Sequence, residues 1–126
     1  MTLANRTLAR AEELARRFAS HGEVRACDLE SISESRYDLV VNATSSSTHG
    51  ESLALPPALF GAGVLAYDMA YGEKARAFVE GARARGARAC DGLGMLVEQA
   101  AESFELWRKV RPLTAPVLAE LRARFP

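Results

Sequence analysis

Short apolar runs alternate along this chain with segments in which apolar residues recur at helical spacing, and that alternation predicts a layered α/β domain. Met1-Thr2-Leu3-Ala4 reads as a short strand, and Thr7 then stands where it can cap a helix carrying Leu8, Ala11, Leu14, Ala15 and Phe18 at helical intervals. Gly22 stops that helix. A weak second strand spans Val24 to Leu29, followed by a connection rich in Ser and Glu. Tyr37 to Asn42 reads as a buried strand that breaks into a polar loop from Ala43 to Gly50, and Pro56-Pro57 opens a short helical turn through Phe60. Val64 to Asp68 is the next strand. Lys74 to Arg85 follows as a helix with Ala75, Phe78, Val79 and Ala82 on one face, Gly86 ends it, and Ala87 to Cys90 forms a last short strand.

The tail leaves this rhythm. Met95, Leu96, Gln99, Ala100, Phe104, Trp107 and Val110 stripe a helix that Pro112 ends, and Val117, Leu118, Leu121 and Phe125 stripe another. A parallel α/β unit returns each helix to a strand, so two helices in succession predict packing across a sheet edge or against a different domain. Their apolar faces need a partner surface.

Composition narrows the field. The chain has 126 residues, 48% of them hydrophobic, with 16 Lys+Arg against 16 Asp+Glu, which suits one domain or part of one. A formal net charge of +0 argues against a partner held by a broad positive field, so neither nucleic acid nor an anionic membrane is expected. Any bound anion must be met locally. No run of about 20 uncharged apolar residues exists, and Met1 to Arg10 lacks the charged head and apolar middle of a secretory signal, so a soluble cytoplasmic protein is expected. Cys27 and Cys90 lie far apart, and His21 and His49 have no ligand-like spacing to them. The expectation is two small buried thiols, with neither a disulfide scaffold nor a metal site.

Local anion chemistry is on offer at Asn5-Arg6-Thr7, where a strand hands over to a helix and Arg10 follows one turn later. In a doubly wound dinucleotide-binding fold the end of the second strand reads the ribose, and an Arg there accommodates the 2′-phosphate of NADP. A guanidinium can fork onto phosphate oxygens, Thr7 can donate a hydroxyl, and the helix terminus adds free N–H groups. The competing reading is an N-cap with two solvated arginines. Two G-x-G elements stand in the wrong context for a dinucleotide fingerprint: Gly61-Ala62-Gly63 precedes a strand, and Gly92-Leu93-Gly94 opens a helix without an acidic strand end about 20 residues later.

Ligands in open α/β sheets collect beyond the carboxyl ends of strands, which draws attention to Asn42-Ala43-Thr44-Ser45-Ser46-Ser47 and to Asp68-Met69-Ala70-Tyr71. The first can equally be a plain hydrophilic connection, and Met69 and Tyr71 can equally be core. Gln99, on an apolar stripe, is an amide that needs partners; a polar ligand or a helix-to-helix hydrogen bond would serve. Lys74 and Lys109 are placed to face water, and neither histidine is placed near a recognisable nucleophile or carboxylate. No general acid or base is evident, although hydride transfer to a carbonyl needs one for the oxygen's proton.

Taken together, Asn5-Arg6-Thr7-x-x-Arg10-Ala11-Glu12, Asn42-Ala43-Thr44-Ser45-Ser46, Tyr67-Asp68-Met69-x-Tyr71 and Asp91-Gly92-Leu93-Gly94-Met95-Leu96-x-x-Gln99-Ala100 resemble the shikimate dehydrogenase family, in the family's own order. The resemblance spans essentially the whole chain. It implies an α/β fold with an incomplete doubly wound, Rossmann-like parallel sheet and two C-terminal helices. Residues 1–91 correspond to a partial NADP-binding domain without its first strand and glycine-rich loop. Residues 92–126 correspond to helices that pack towards a substrate domain absent from this sequence. By the same resemblance Asn5, Arg6, Thr7 and Arg10 receive the 2′-phosphate, Thr44 lies in the loop under the cofactor, Met69 and Gly92 sit beside the nicotinamide, and Tyr71 and Gln99 reach the bound shikimate, with Met95 supporting the pocket wall. Ser47 stands where many relatives carry Gly, and Ala70 where a bulkier residue is frequent.

The family reduces 3-dehydroshikimate to shikimate with NADPH, on the route to aromatic amino acids through chorismate. Its catalytic Lys and Asp lie in the absent domain, so no catalytic residue is carried onto this chain and the isolated chain is expected to be inactive. Quinate/shikimate paralogues stay open, because the residues that read the substrate hydroxyls lie in that domain too. A rival reading from another class is a non-catalytic α/β interaction module, or a degenerate fragment, whose exposed helix stripes dock a partner or pair as a homodimer.

Overall fold

The computed structural model describes residues 1–32, 37–46 and 53–125. Ser47, His49 and the rest of the polar loop to Gly50 lie outside the described residues. In chain order the elements are β1 (Thr2–Ala4), α1 (Leu8–Phe18), β2 (Arg25–Cys27), β3 (Leu39–Asn42), β4 (Leu65–Asp68), α2 (Glu73–Arg83), β5 (Arg88–Cys90), α3 (Leu93–Arg108) and α4 (Thr114–Arg124), with short 3₁₀ turns at Ala19–His21 and Pro57–Leu59. They form two units, Met1–Arg36 with Ala54–Leu59, and Tyr37–Leu53 with Phe60–Pro126.

In the first unit β1 and β2 pair in parallel, with Thr2 opposite Arg25 and Ala4 opposite Cys27. Parallel neighbours need a crossover, and α1 supplies it. Up to its last residue, Phe18, its sequence is built from Ala, Leu, Arg and Glu, all strong helix formers, and Arg16 and Arg17 in the last turn complement the helix dipole. Ala11 and Ala15 form its buried face, whereas Leu8, Leu14 and Phe18 on the same stripe are about two-fifths exposed. Thr7 takes the N-cap position but its hydroxyl makes no capping bond. Asn5 instead closes an Asx turn ahead of the helix, its Oδ1 accepting from the Thr7 amide at 2.9 Å.

In the second unit β3, β4 and β5 form a parallel sheet in that order, with Asn42 opposite Asp68 and Tyr67 opposite Cys90. Its core is made of small residues. Ala66 of β4, Ala82 of α2 and Ala87 pack together, flanked by Phe60, Val64, Phe78 and Ala89, and the alanines let helix and sheet approach closely. Phe60 and Phe78 meet edge to face, 5.9 Å between centroids. Gly86 turns the chain out of α2 at φ 89, a backbone that side-chain-bearing residues resist. β3 is not the buried strand its composition predicts: Leu39 and Val41 are exposed, since β3 is an edge strand with one covered face.

The stripe predicted for α3 is also corrected. The buried row is Leu93, Val97 and Ala101, while Met95, Leu96, Gln99, Ala100, Phe104 and Trp107 are exposed. α3 ends at Arg108, ahead of Pro112, with Lys109 in the left-handed region at φ 57. Arg111 then ties the connection back to α3 by pairing with Glu98, Glu102 and Glu105. α4 contributes no buried residue. Both cysteines are free and half-buried, short of the full burial their small size predicts.

Candidate functional site

The carboxyl ends of β3, β4 and β5 are stitched together by polar contacts, and the candidate residues of the second unit stand along that edge. Asn42 and Asp68, facing across the β3–β4 ladder, are both buried, and the Asn42 side-chain amide donates to Asp68 Oδ2 at 3.0 Å. The other Asp68 oxygen accepts from the Ala70 amide at 2.8 Å, and the Asn42 carbonyl accepts from the Met69 amide at 3.0 Å. Asn42 also organises the following turn, its Oδ1 accepting from the Thr44 amide at 3.1 Å and the Thr44 hydroxyl at 2.8 Å. Thr44 is therefore held by its own strand end and remains exposed.

Beyond β4 the backbone runs against the start of α3. The Gly92 amide donates to the Ala70 carbonyl at 2.8 Å, and a Cβ on Gly92 would lie 2.3 Å from the Met69 oxygen. Only glycine fits there. Met69 and Tyr71 project from this loop with 45% and 41% of their surface exposed, available to a ligand and not consumed by the core. Tyr71 leans edge-on against Phe125, 6.2 Å between centroids. Gln99 is exposed, so its side chain is not the buried amide its place on the stripe suggests; its backbone carbonyl accepts from the Ser103 hydroxyl at 3.0 Å.

Asp91 closes the edge at the end of β5. Burial pushes its carboxyl up, but the Arg122 guanidinium and the amides of Gly72 and Leu93 outweigh that and hold it below the usual carboxylate range. Arg122 is correspondingly pushed up by its bond to Asp91. Burial raises the nearby Tyr67 phenol. Sequence reasoning missed Asp91 and Arg122 as a pair; Asp91 borders Gly92, but nothing local marks an arginine on a later helix.

In the first unit, Asn5 anchors the strand-to-helix turn, its amide donating to the Cys27 carbonyl at 3.2 Å. Arg6, Thr7 and Arg10 are exposed around the α1 N-terminus, and α1 carries no acidic residue in its first turn. Among the described residues neither guanidinium has a hydrogen-bond or ion-pair partner. Two unengaged cations beside a helix N-terminus concentrate positive charge there in a chain of zero net charge. Lys74, in α2, and Lys109, just beyond α3, are both exposed.

Residues 92–122 match the family model of the shikimate 5′-dehydrogenase C-terminal domain. The NADP(+)-dependent shikimate dehydrogenase of Dechloromonas aromatica (strain RCB) is 50% identical over 126 residues, covering 99% of this chain and 46% of that protein. Among solved structures, an Ael1 enzyme from Pseudomonas putida is 43% identical with a TM-score of 0.83, over 95% of this chain and 44% of its own. Shikimate 5-dehydrogenase from Thermus thermophilus, in complex with NADP(H) and shikimate, is 33% identical with a TM-score of 0.73, over 97% of this chain and 45% of its own. This chain thus spans a little under half the length of the proteins it matches. Sequence and fold agree that it corresponds to the C-terminal portion of the shikimate dehydrogenase family.

Proposed function

We propose that this chain supplies the cofactor side of an NADP-dependent shikimate dehydrogenase, the enzyme that reduces 3-dehydroshikimate to shikimate. Strand order supports the reading. A doubly wound sheet runs 3-2-1-4-5-6, and taking out its central first strand leaves a pair and a triplet, as in β1-β2 and β3-β4-β5. Residues 1–91 are then the later part of the NADP-binding domain, and residues 92–126 the helices that face the substrate domain in the whole enzyme.

The single observation that carries the cofactor assignment is the unengaged Arg6 and Arg10 pair around the α1 N-terminus. These residues fit a 2′-phosphate: Arg6 and Arg10 offer charge and forked donors, Thr7 a hydroxyl, and Asn5 shapes the turn. NADPH, when bound, supplies the hydride. Thr44 lines the loop under it, Met69 and Gly92 flank the nicotinamide, and Tyr71 and Gln99 extend towards shikimate. By the family resemblance, the proton for the new hydroxyl comes from the catalytic Lys and Asp of the substrate domain. A cytoplasmic setting accompanies this reading; among the described residues no helix is long and apolar enough to cross a membrane.

Calorimetric titration of the chain with 2′-phospho-ADP-ribose and with ADP-ribose tests the assignment. The phosphorylated ligand binds more tightly, and Arg6→Ala removes about 1.5–3 kcal/mol of that preference. Equal affinity for the two ligands overturns the cofactor role. Shikimate oxidation by the isolated chain overturns the assignment of catalysis to the other domain.

A second reading has its own observation. Trp107, Leu106, Val110 and Leu113 are 78%, 68%, 62% and 81% exposed on and after α3, a patch suited to protein contact. An interaction module would use it to hold a partner or a second copy as a homodimer. Sedimentation separates the two: a stable dimer indifferent to nucleotide favours the module.

A further inference from the structure

We infer that Asp91 is a positioning residue: paired with Arg122 of α4, it fixes the loop between β4 and α2 that carries Met69 and Tyr71 against the start of α3. One carboxylate touches three segments. Its Oδ2 accepts from the Gly72 amide at 3.0 Å, and its Oδ1 accepts from the Leu93 amide at 3.3 Å and from Arg122 Nη2. The Asp91 side chain is only 9% exposed, so these contacts form where water competes weakly, while Arg122 reaches in from a side chain 43% exposed.

A second contact joins the same two partners. Phe125, just beyond α4, meets the Tyr71 ring edge-on and lies 3.5 Å from the position a Cβ on Gly72 would take. The loop is thus gripped at Gly72 through Asp91 and at Tyr71 through Phe125, and its other flank is pinned by the Gly92 amide on the Ala70 carbonyl. α4 packs on α3 with no buried residue of its own, and these contacts tie it further to the edge of the sheet as a strap across the loop. Met69 is held on one side by its amide on the Asn42 carbonyl, and the strap fixes the loop that follows it at Tyr71 and Gly72. Its importance for cofactor binding rests on the proposed place of Met69 beside the nicotinamide.

Amide exchange and the methyl resonance of Met69, followed by NMR in Arg122→Ala, test the strap directly. Exchange at Gly72 and Leu93 should quicken by about tenfold or more and the Met69 signal should move, with α1 and β1 unaffected. Arg122→Lys keeps a cation and a long stem, and should return both readouts towards the original. Asp91→Asn keeps the size of the side chain and one acceptor oxygen, but removes the charge and sets an NH₂ donor against a donor partner. It should loosen the loop and leave β4 and β5 amides protected, which separates a lost strap from a lost fold. Unchanged exchange at Gly72 and an unmoved Met69 signal in Arg122→Ala overturn the inference. Titration with NADPH and with 2′-phospho-ADP-ribose, which lacks the nicotinamide, then tests the reading beneath it. Arg122→Ala should weaken NADPH several-fold more than the shorter ligand. A loosened loop with unaltered NADPH binding overturns the nicotinamide role of Met69 while the strap stands.

Discussion

The Asn42 side-chain amide donates to the Asp68 carboxylate at 3.0 Å across the β3–β4 ladder, and both side chains are buried. Removing the donor takes a hydrogen bond from a carboxylate oxygen at a place where water replaces it poorly. Asn42→Ala should therefore destabilise the second unit by about 1–3 kcal/mol in urea unfolding. Asn42→Asp should cost more, because two carboxylates would then share a site that disfavours ionising both. A loss smaller for Asn42→Asp than for Asn42→Ala would contradict the assigned bond.

Gly92 and Gly94 open the same helix and predict opposite outcomes. A Cβ at Gly92 would lie 2.3 Å from the Met69 oxygen and 2.9 Å from its carbonyl carbon, backbone atoms with no rotamer to escape into. Gly92→Ala should lower stability by roughly 1–3 kcal/mol or more, as overpacked sites do. At Gly94 nothing lies within 4 Å, and the residue is helical. Gly94→Ala should raise stability by about 0.5–1 kcal/mol through helix propensity. Thermal melts of the two variants give the comparison, and a neutral Gly92→Ala would exclude the close approach.

These two glycines also show what was legible in the sequence. Apolar periodicity locates α1 to α4, and punctuation by Gly22 and Gly86 marks where chain direction changes, because those signals are local. The face of α3 that turns inward is not local. Leu93, Val97 and Ala101 make one apolar row and Met95, Leu96, Phe104 and Trp107 another, and spacing alone cannot rank them. Leu93, next to the close pass of Gly92 under Met69, begins the row that is buried. Asp91 and Arg122 were illegible as a pair for a related reason, since their contact joins β5 to a helix two elements later. The exposed placement of Arg6 and Arg10 around a helix start was legible because a strand, a turn and a helix start lie within a few consecutive residues.

The Asp91–Arg122 pair sets a pH dependence. Burial pushes the Asp91 carboxyl up, and its bonds to Arg122, Gly72 and Leu93 more than reverse this, so folding lowers its pKa. Such a group stabilises the fold wherever the unfolded aspartate, with a pKa of roughly 3.9, is ionised, and that stability drains away as pH falls through the lower folded value. The stability lost in Arg122→Ala should be level above about pH 5 and shrink below about pH 4. Urea midpoints of both proteins across that range check it. A gap that widens in acid would place the arginine's contribution elsewhere.

Charge and geometry at Arg6 can be separated by substitution. A guanidinium grips phosphate through two parallel donors, whereas an ammonium is a point charge on a flexible stem. If the 2′-phosphate is met by a fork, Arg6→Lys keeps the salt-sensitive attraction but loses the directed bonds. Its preference for 2′-phospho-ADP-ribose over ADP-ribose should then fall between those of the parent chain and Arg6→Ala. Both arginines are exposed, so the preference should also decline as ionic strength rises from about 0.01 to 0.15 M, over which the screening length falls from about 30 to 8 Å. Arg10, one turn further along α1, should contribute in the same direction, and the Arg6→Ala/Arg10→Ala double variant should bind the two ligands equally. Isothermal titration at two salt concentrations measures all of these, and a preference that survives the double variant would move the phosphate site away from the α1 N-terminus.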